Sequence, residues 1–493
     1  MKYLLGFDIG SSSVKATLLE VATGKTAASA FSPSSEMPMQ SPQPGFAEQD
    51  PEMWWKELVN AVNKLHHQVS FNGDEVAAIG IAYQMHGLVC VDKNLSPLRP
   101  SIIWCDSRAV KIGDKAFEKL GQKYCLKNYL NSPGNFTASK LSWVKKNEPD
   151  VYKNIYKIML PGDYIALKLT GEPATTISGL SEGVMWNFKK EKLAADLLGF
   201  YGIDEGMISP LVPTFGEQGR VSASAANELG LKEGTPVSYR AGDQPNNAFS
   251  LNVSQPGEVA ATAGTSGVVY GIIDKPNYDP KSRVNTFVHV NHTKKDPRYG
   301  VLLCVNGTGI LNSWLRKNFF GDSSYEQMNK EASIAPPGSD ELLIYPFGNG
   351  AERVLENKDL GAVMKVVQFN RHNRGHIARA AQEGIVFALQ YGAEVMKEMG
   401  MEIKTVRAGH ANMFLSDVFS SVFVNTIGCE LELYNTDGAT GAARGAGIGA
   451  GIYKDFAEAY SSMEKIKTYS PEKEQQELYS LAYKKWKKQL KKL

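Results

Sequence analysis

Residues 3–20 read Tyr3-Leu4-Leu5-Gly6-Phe7-Asp8-Ile9-Gly10-Ser11-Ser12-Ser13-Val14-Lys15-Ala16-Thr17-Leu18-Leu19-Glu20. Two apolar runs flank a stretch of small, turn-forming residues, a pattern that predicts a β-hairpin with a Gly/Ser tip. The pattern returns about 250 residues later, where Glu258 to Ala263 and Gly267 to Ile273 flank Gly264-Thr265-Ser266. Two such hairpins predict two domains of like architecture, each opening with a tip that offers backbone N–H groups and hydroxyls to an anion.

Working outward, Asp50 is placed to cap a helix with Pro51 in its first turn, and Trp54, Leu58, Ala61, Val62 and Leu65 form one apolar stripe. A second helix is predicted from about His376 to a stop at Gly400. Strands mixed with amphipathic helices place the chain in the α/β class. Its 493 residues exceed what one core usually holds. Gly234-Thr235-Pro236 is a natural boundary, so the expected domains are 1–241, 242–453 and a tail, 454–493. In that tail Leu478, Ala482, Trp486 and Leu490 recur at helical spacing among many lysines, which predicts a solvated C-terminal helix.

Composition narrows the function. Lys and Arg total 54 against 52 Asp and Glu, interspersed along the chain, so no broad basic face for nucleic acid or anionic lipid is expected. Five cysteines without a Cys-x-x-Cys argue against a disulfide framework and a zinc site. Asp8 interrupts the N-terminus before an apolar leader develops, and no later apolar run approaches 18 residues. The expected location is therefore cytoplasmic.

Six segments could carry chemistry. At the first hairpin, Asp8 could hold Mg²⁺ through water while Ser11, Ser12 and Ser13 take phosphate oxygens and Lys15 adds positive charge; an ordinary polar turn is the alternative. Gly264, Thr265 and Ser266 would do the same at the second hairpin. Gln84-Met85-His86-Gly87 follows the apolar run Val76 to Ala82, and His86 is either a structural histidine or a ligand for sugar hydroxyls. Trp104-Cys105-Asp106-Ser107-Arg108 reads as part of a sugar pocket or as a surface turn. Asp243, in Gly242-Asp243-Gln244, is either a helix cap or a general base, and a helix dipole there would keep it ionised. Val406 to Asn412 reads as a strand, a glycine turn and the approach to a helix from about Ser416, a seat for a nucleoside or phosphate or a plain connection. The glycine-rich run 438–451 superficially matches a dinucleotide fingerprint but has no abutting strand, so a close-packed helix is expected. A Gly-x-x-x-x-Gly-Lys-Ser/Thr phosphate loop is absent from the sequence.

In chain order, DIGSSSVKA, GFAEQDPEMWW from Gly45 to Trp55, LPGDYIALKLTG from Leu160 to Gly171, GDQ from Gly242 to Gln244 and GTSG from Gly264 to Gly267 resemble the markers of the FGGY carbohydrate kinases. The resemblance implies two actin-like, ribonuclease-H-like domains with ATP and sugar meeting in an interdomain catalytic cleft. It implies Asp243 as catalytic base and Asp8 as the support for Mg²⁺. Met85 and His86 would contact a ketose, joined by Trp104, Asp106 and Gln244. Gly309, Asn312, Gly409, His410 and Asn412 would lie near the nucleotide. Gln84-Met85-His86-Gly87 is similar to the sugar-gripping segment of xylulokinases and points to D-xylulose, whereas Gly242-Asp243-Gln244 is closer to glycerol kinases. Other acceptors, such as glycerol, L-ribulose or gluconate, and a sugar-free actin-like ATP-binding protein are the alternatives. A homodimer is the assembly the family implies.

Overall fold

The computed structural model describes residues 2–493 and divides them into two compact units. The first runs through Asn252 and regains Phe287–Tyr299 and Thr436–Met463. The second comprises Val253–Thr286, Gly300–Asn435 and Glu464–Leu493. The expected boundary at Ala241 thus falls inside the first unit, which continues to Asn252 and takes in two later segments.

The first unit is built on a five-stranded sheet of β1 (Tyr3–Ile9), β2 (Val14–Glu20), β3 (Thr26–Ser32), β4 (Val76–Tyr83) and β5 (Val237–Gly242), in the order β5-β4-β1-β2-β3. The β1–β2 and β2–β3 pairs are antiparallel, and β4 lies parallel to both β1 and β5. Every residue of β4 is buried, as a central strand covered on both faces requires. The helix Pro51–Gln68 forms as expected: Asp50 accepts from the Glu52 N–H at 3.0 Å, and the predicted stripe is buried.

The glycine-rich run is a helix, Gly438–Gly449, buried along most of its length. Glycines in the sheet allow its close approach. A Cβ on Gly6 of β1 would stand 1.9 Å from the Ala439 carbonyl oxygen, and one on Gly80 of β4 would stand 2.0 Å from that of Ala442. This packing draws residues 436–463 into the first unit.

The second unit holds a seven-stranded sheet of β6 (Glu258–Ala263), β7 (Gly267–Ile273), β8 (Asn285–Val288), β9 (Tyr299–Val305), β10 (Thr405–Gly409), β11 (Glu430–Tyr434) and β12 (Lys465–Tyr469), in the order β8-β9-β7-β6-β10-β11-β12. The repeat read from the two hairpins extends to the sheets. In each, an antiparallel hairpin (β1–β2, β6–β7) is continued from its first strand by two parallel strands, β4 and β5 or β10 and β11. The helix Arg374–Glu398 forms the centre of this unit's core and is followed by Gly400 at φ 87°.

The C-terminal helix, Lys473–Leu490, is not a solvated tail. Tyr479, Tyr483, Trp486 and Leu490 are buried, a stripe displaced from the predicted one so that Leu478 stays half exposed. Trp486 stacks on Tyr345 with ring centroids 5.0 Å apart, and its indole N–H donates to the Ile344 carbonyl at 2.9 Å. Among the described residues no helix is long and apolar enough to cross a membrane.

Candidate active site

Three adjacent parallel strands of the first unit end at one edge of its sheet. Asp8 pairs with Ala82, and Tyr83 pairs with Gly242, so Asp8, the segment Gln84–Gly87 and Asp243 leave the sheet side by side. The carboxyl ends of parallel strands are where open α/β sheets place ligands. Asp243 is the first residue of the helix Asp243–Ser250, with Gly242 in the cap position.

The electrostatics of this edge are dominated by carboxyl groups. Burial pushes Asp8 up to about 6, with the Asp437 charge adding to the rise and Lys15 opposing it. Asp243 is pushed up to about 7, first by burial and then by the negative charge of Asp8; hydrogen bonds from Gln244 pull the other way. The helix dipole therefore does not keep Asp243 ionised as its position suggested, because desolvation outweighs it. Asp437 caps the glycine-rich helix, accepting from the Thr440 N–H at 2.8 Å, and pairs with Lys15. Burial opposes its ionisation, but Lys15 and Thr440 keep it below the usual carboxylate range. A Cβ on Gly438 would lie 2.2 Å from Asp8 Oδ2, so Asp8 sits against the start of that helix, and glycine is required there.

The first hairpin tip is held from several sides. Gly10 N–H donates to the Ser13 carbonyl at 3.0 Å, and the Ser11 and Ser12 carbonyls accept from the Gln49 amide and the Met37 N–H. Ser12 is exposed, and Ser11 and Ser13 are half-buried. His86, at φ 62°, donates through Nδ1 to the Glu182 carbonyl at 3.0 Å, and its ring packs edge-on against Phe136 at 4.9 Å. Beneath it Lys140, fully buried and pushed down to about 7 by that burial, donates to the carbonyls of His86 and Ile103 at 2.8 and 2.9 Å.

In the second unit, a cavity of about 880 Å³ is lined by both polar and apolar residues. The second hairpin tip, Gly264 and Thr265, forms one wall with Gly309 and Asn312, and Asn412 and Ser416 form another. The tip and the helix Gly309–Phe319 are joined by bonds from the Gly309 and Ile310 N–H groups to the Gly264 and Thr265 carbonyls, at 2.9 and 3.1 Å. A Cβ on Gly309 would come within 2.2 Å of the Gly264 oxygen, so only glycine permits this junction. Such a volume accommodates a nucleotide.

Two family models match nearly the whole chain: the N-terminal domain of the FGGY family of carbohydrate kinases over residues 3–250 and its C-terminal domain over 259–451. The chain belongs to this family. FGGY enzymes transfer phosphate from ATP to a sugar, and this chain is an enzyme of that class. It is 29% identical to a xylulose kinase of Bacillus subtilis over 93% of this chain and 90% of that one. It is 31% identical to a xylulose kinase of Lactococcus lactis over 81% and 77% of the two chains. Its fold matches that of a ligand-bound xylulose kinase from Lactobacillus acidophilus with a TM-score of 0.90 at 22% identity, covering 99% and 97% of the two chains. A gluconate kinase from the same organism matches at 0.89, also at 22% identity and with the same coverage. FGGY kinases share the actin-like, ribonuclease-H-like architecture seen in the two sheets.

The FGGY site residues expected from sequence divide into three groups. Asp8, Ser11, Ser12, Ser13, Lys15, Met85, His86, Asp243 and Gln244 lie at or beside the three strand ends, and Trp104 reaches the same tip, its indole N–H 3.5 Å from Ser11 Oγ. Gly264, Thr265, Gly309, Asn312 and Asn412 line the cavity of the second unit, whereas Ser266, Gly409 and His410 fall outside its lining. Asp106 takes a structural post instead of a sugar-facing one. It is fully buried, and its carboxylate accepts from the Ala47 N–H at 2.6 Å and from the Arg108 N–H and guanidinium at 2.9 and 2.8 Å.

Sequence reasoning passed over Asp437, Glu182 and the cavity wall from Tyr325 to Ser333. For Asp437 a signal existed: an Asp immediately before a Gly/Ala helix is a capping pattern.

Proposed function

We propose that the protein phosphorylates D-xylulose at its C5 hydroxyl, giving D-xylulose 5-phosphate, with Asp243 as the general base. The observation that carries this reading is the convergence of Asp8, Met85–His86 and Asp243 at one sheet edge. A base that titrates near 7 accepts a hydroxyl proton at neutral pH and is still mostly ionised just above it. His86, oriented through Nδ1 by the Glu182 carbonyl, and Met85 bind the ketose, with Gln244 beside the base.

ATP, the phosphoryl donor of FGGY kinases, takes its nucleoside to the cavity of the second unit, where Thr265 of the hairpin tip offers a hydroxyl. The donor set at Asp8 fits Mg²⁺ held through water. Asp8 and Asp437 are hard oxygen ligands with one lysine between them, and among the described residues no cluster of three or more His, Cys, Asp or Glu side chains forms a direct cage. When bound, Mg²⁺ supplies charge neutralisation at the phosphates.

Little covalent work falls to the protein. Alignment of the hydroxyl, removal of its proton and stabilisation of phosphoryl charge account for the rate. The test is product identification after incubation with Mg-ATP and a panel of ketoses, aldonates and polyols. A glycerol-type acceptor is the second reading, favoured by Gly242-Asp243-Gln244. Phosphorylation of glycerol or gluconate with D-xylulose untouched would replace the substrate reading. Asp243→Ala should lower kcat by roughly 10²- to 10⁴-fold while ATP binding is kept.

A further inference from the structure

Asn329 lies on the helix Tyr325–Ile334 and lines the cavity of the second unit. Its side chain ends a relay of hydrogen bonds that starts at another residue of the cavity wall. Ser416 caps the helix Asp417–Ile427, its hydroxyl oxygen accepting from the Phe419 N–H at 3.3 Å. The hydroxyl proton goes to Gln382 Oε1 at 2.9 Å, and Gln382 Nε2 donates to Asn329 Oδ1 at 2.9 Å. Gln382, on the helix Arg374–Glu398, is fully buried between the two.

The relay decides which way round the Asn329 amide stands. The oxygen and nitrogen of an amide are told apart by what they bond, and the roles here begin at a backbone N–H, which only donates. A fully buried amide is costly unless both its ends are paired, so Gln382 is held to this one arrangement. With Oδ1 taken by Gln382, the group left to Asn329 is Nδ2, which donates to no protein atom among the described residues. Ile310 and Leu415, 38% and 58% exposed, offer apolar surface to the same cavity. Apolar walls with a few fixed polar groups suit a flat heterocycle.

We infer that Asn329 is a specificity-determining residue for the nucleotide, its Nδ2 donating to a ring nitrogen of the adenine base, with Gln382 as the positioning residue behind it. The inference rests on the reading that the nucleoside of ATP occupies this cavity. A ring nitrogen with an in-plane lone pair accepts a hydrogen bond, and a C–H in its place does not. A base that sets a C–H against the fixed donor leaves that donor unpaired and binds less well.

The experiment measures Kd by calorimetry for Mg-ATP and for its 1-deaza, 3-deaza and 7-deaza analogues, each with a C–H in place of one ring nitrogen, with Tm alongside. In the wild type one analogue should bind about 3- to 10-fold more weakly than ATP. Asn329→Leu should lose a similar factor on ATP and nothing further on that analogue. Asn329→Asp keeps the acceptor for Gln382, and with it the relay and the Tm, but sets an oxygen against the ring nitrogen, so the preference for ATP over that analogue should vanish or reverse. Gln382→Met, which frees the Asn329 amide to turn, should shrink the same preference while ATP still binds. Three analogues that all bind like ATP, or a wild-type preference that survives intact in the Asn329 variants or in Gln382→Met, would overturn the inference alone. Ser313→Trp, which fills the cavity from the helix Gly309–Phe319, should raise the Kd for ATP. An unchanged Kd in that folded variant would overturn the placement of the nucleoside here and this inference with it.

Discussion

The position of Asp243 makes a quantitative demand on the pH dependence of the reaction. An ordinary aspartate would be almost wholly ionised at pH 6, and activity would be flat from there upward. Here burial and the charge of Asp8 push the group up to about 7. Only about one molecule in ten then carries the ionised base at pH 6, and about nine in ten at pH 8. Because kcat/KM reports the free enzyme, the D-xylulose profile should rise about tenfold per pH unit below 7 and level off above 8. The assay is coupled ADP release with Mg-ATP held well below its KM, at constant ionic strength from pH 5.5 to 9. Asp8→Asn removes the second-largest cause of the shift, so its rising limb should move to lower pH whatever happens to the plateau height. A flat wild-type profile between pH 6 and 9, or an Asp8→Asn midpoint that does not move, would refute the electrostatic account.

Two packing predictions test the fold that carries the site. Gly80→Ala places a Cβ 2.0 Å from the Ala442 carbonyl oxygen, a backbone atom that cannot step aside, and should destabilise the protein by about 1–3 kcal/mol, read as a lowered urea midpoint. Trp486→Ala removes a buried indole and its bond to the Ile344 carbonyl, and should cost about 3–5 kcal/mol; a solvated tail would show no loss in the same melt.

Local chemistry was legible where it is encoded by neighbours in the chain. The hairpins at Asp8 and Gly264, the capped helix at Pro51 and the close-packed nature of residues 438–449 all follow from short-range pattern. The capping role of Asp437 was legible but its place at the site was not, nor was that of Glu182, because each reaches the site from a segment far along the chain. Asp437 does so through its pair with Lys15, and Glu182 through the Nδ1 of His86. Asp106 was misplaced for a related reason. Its segment looks like a polar turn, but Ala47, remote in sequence, and Arg108 together consume its carboxylate.

What the sequence determined by itself is the inventory: two glycine-and-hydroxyl tips, a His-bearing strand end and an aspartate opening a helix, since periodicity and turn chemistry act over a few residues. Only the tertiary structure decided how those parts behave. It returned residues 436–463 to the first sheet, where Gly6 and Gly80 leave room for a helix, and it buried the C-terminal stripe of Trp486. It also set the proton affinity of Asp243, because desolvation and the charge on a neighbouring strand are properties of position in space, which a local pattern of residues does not carry.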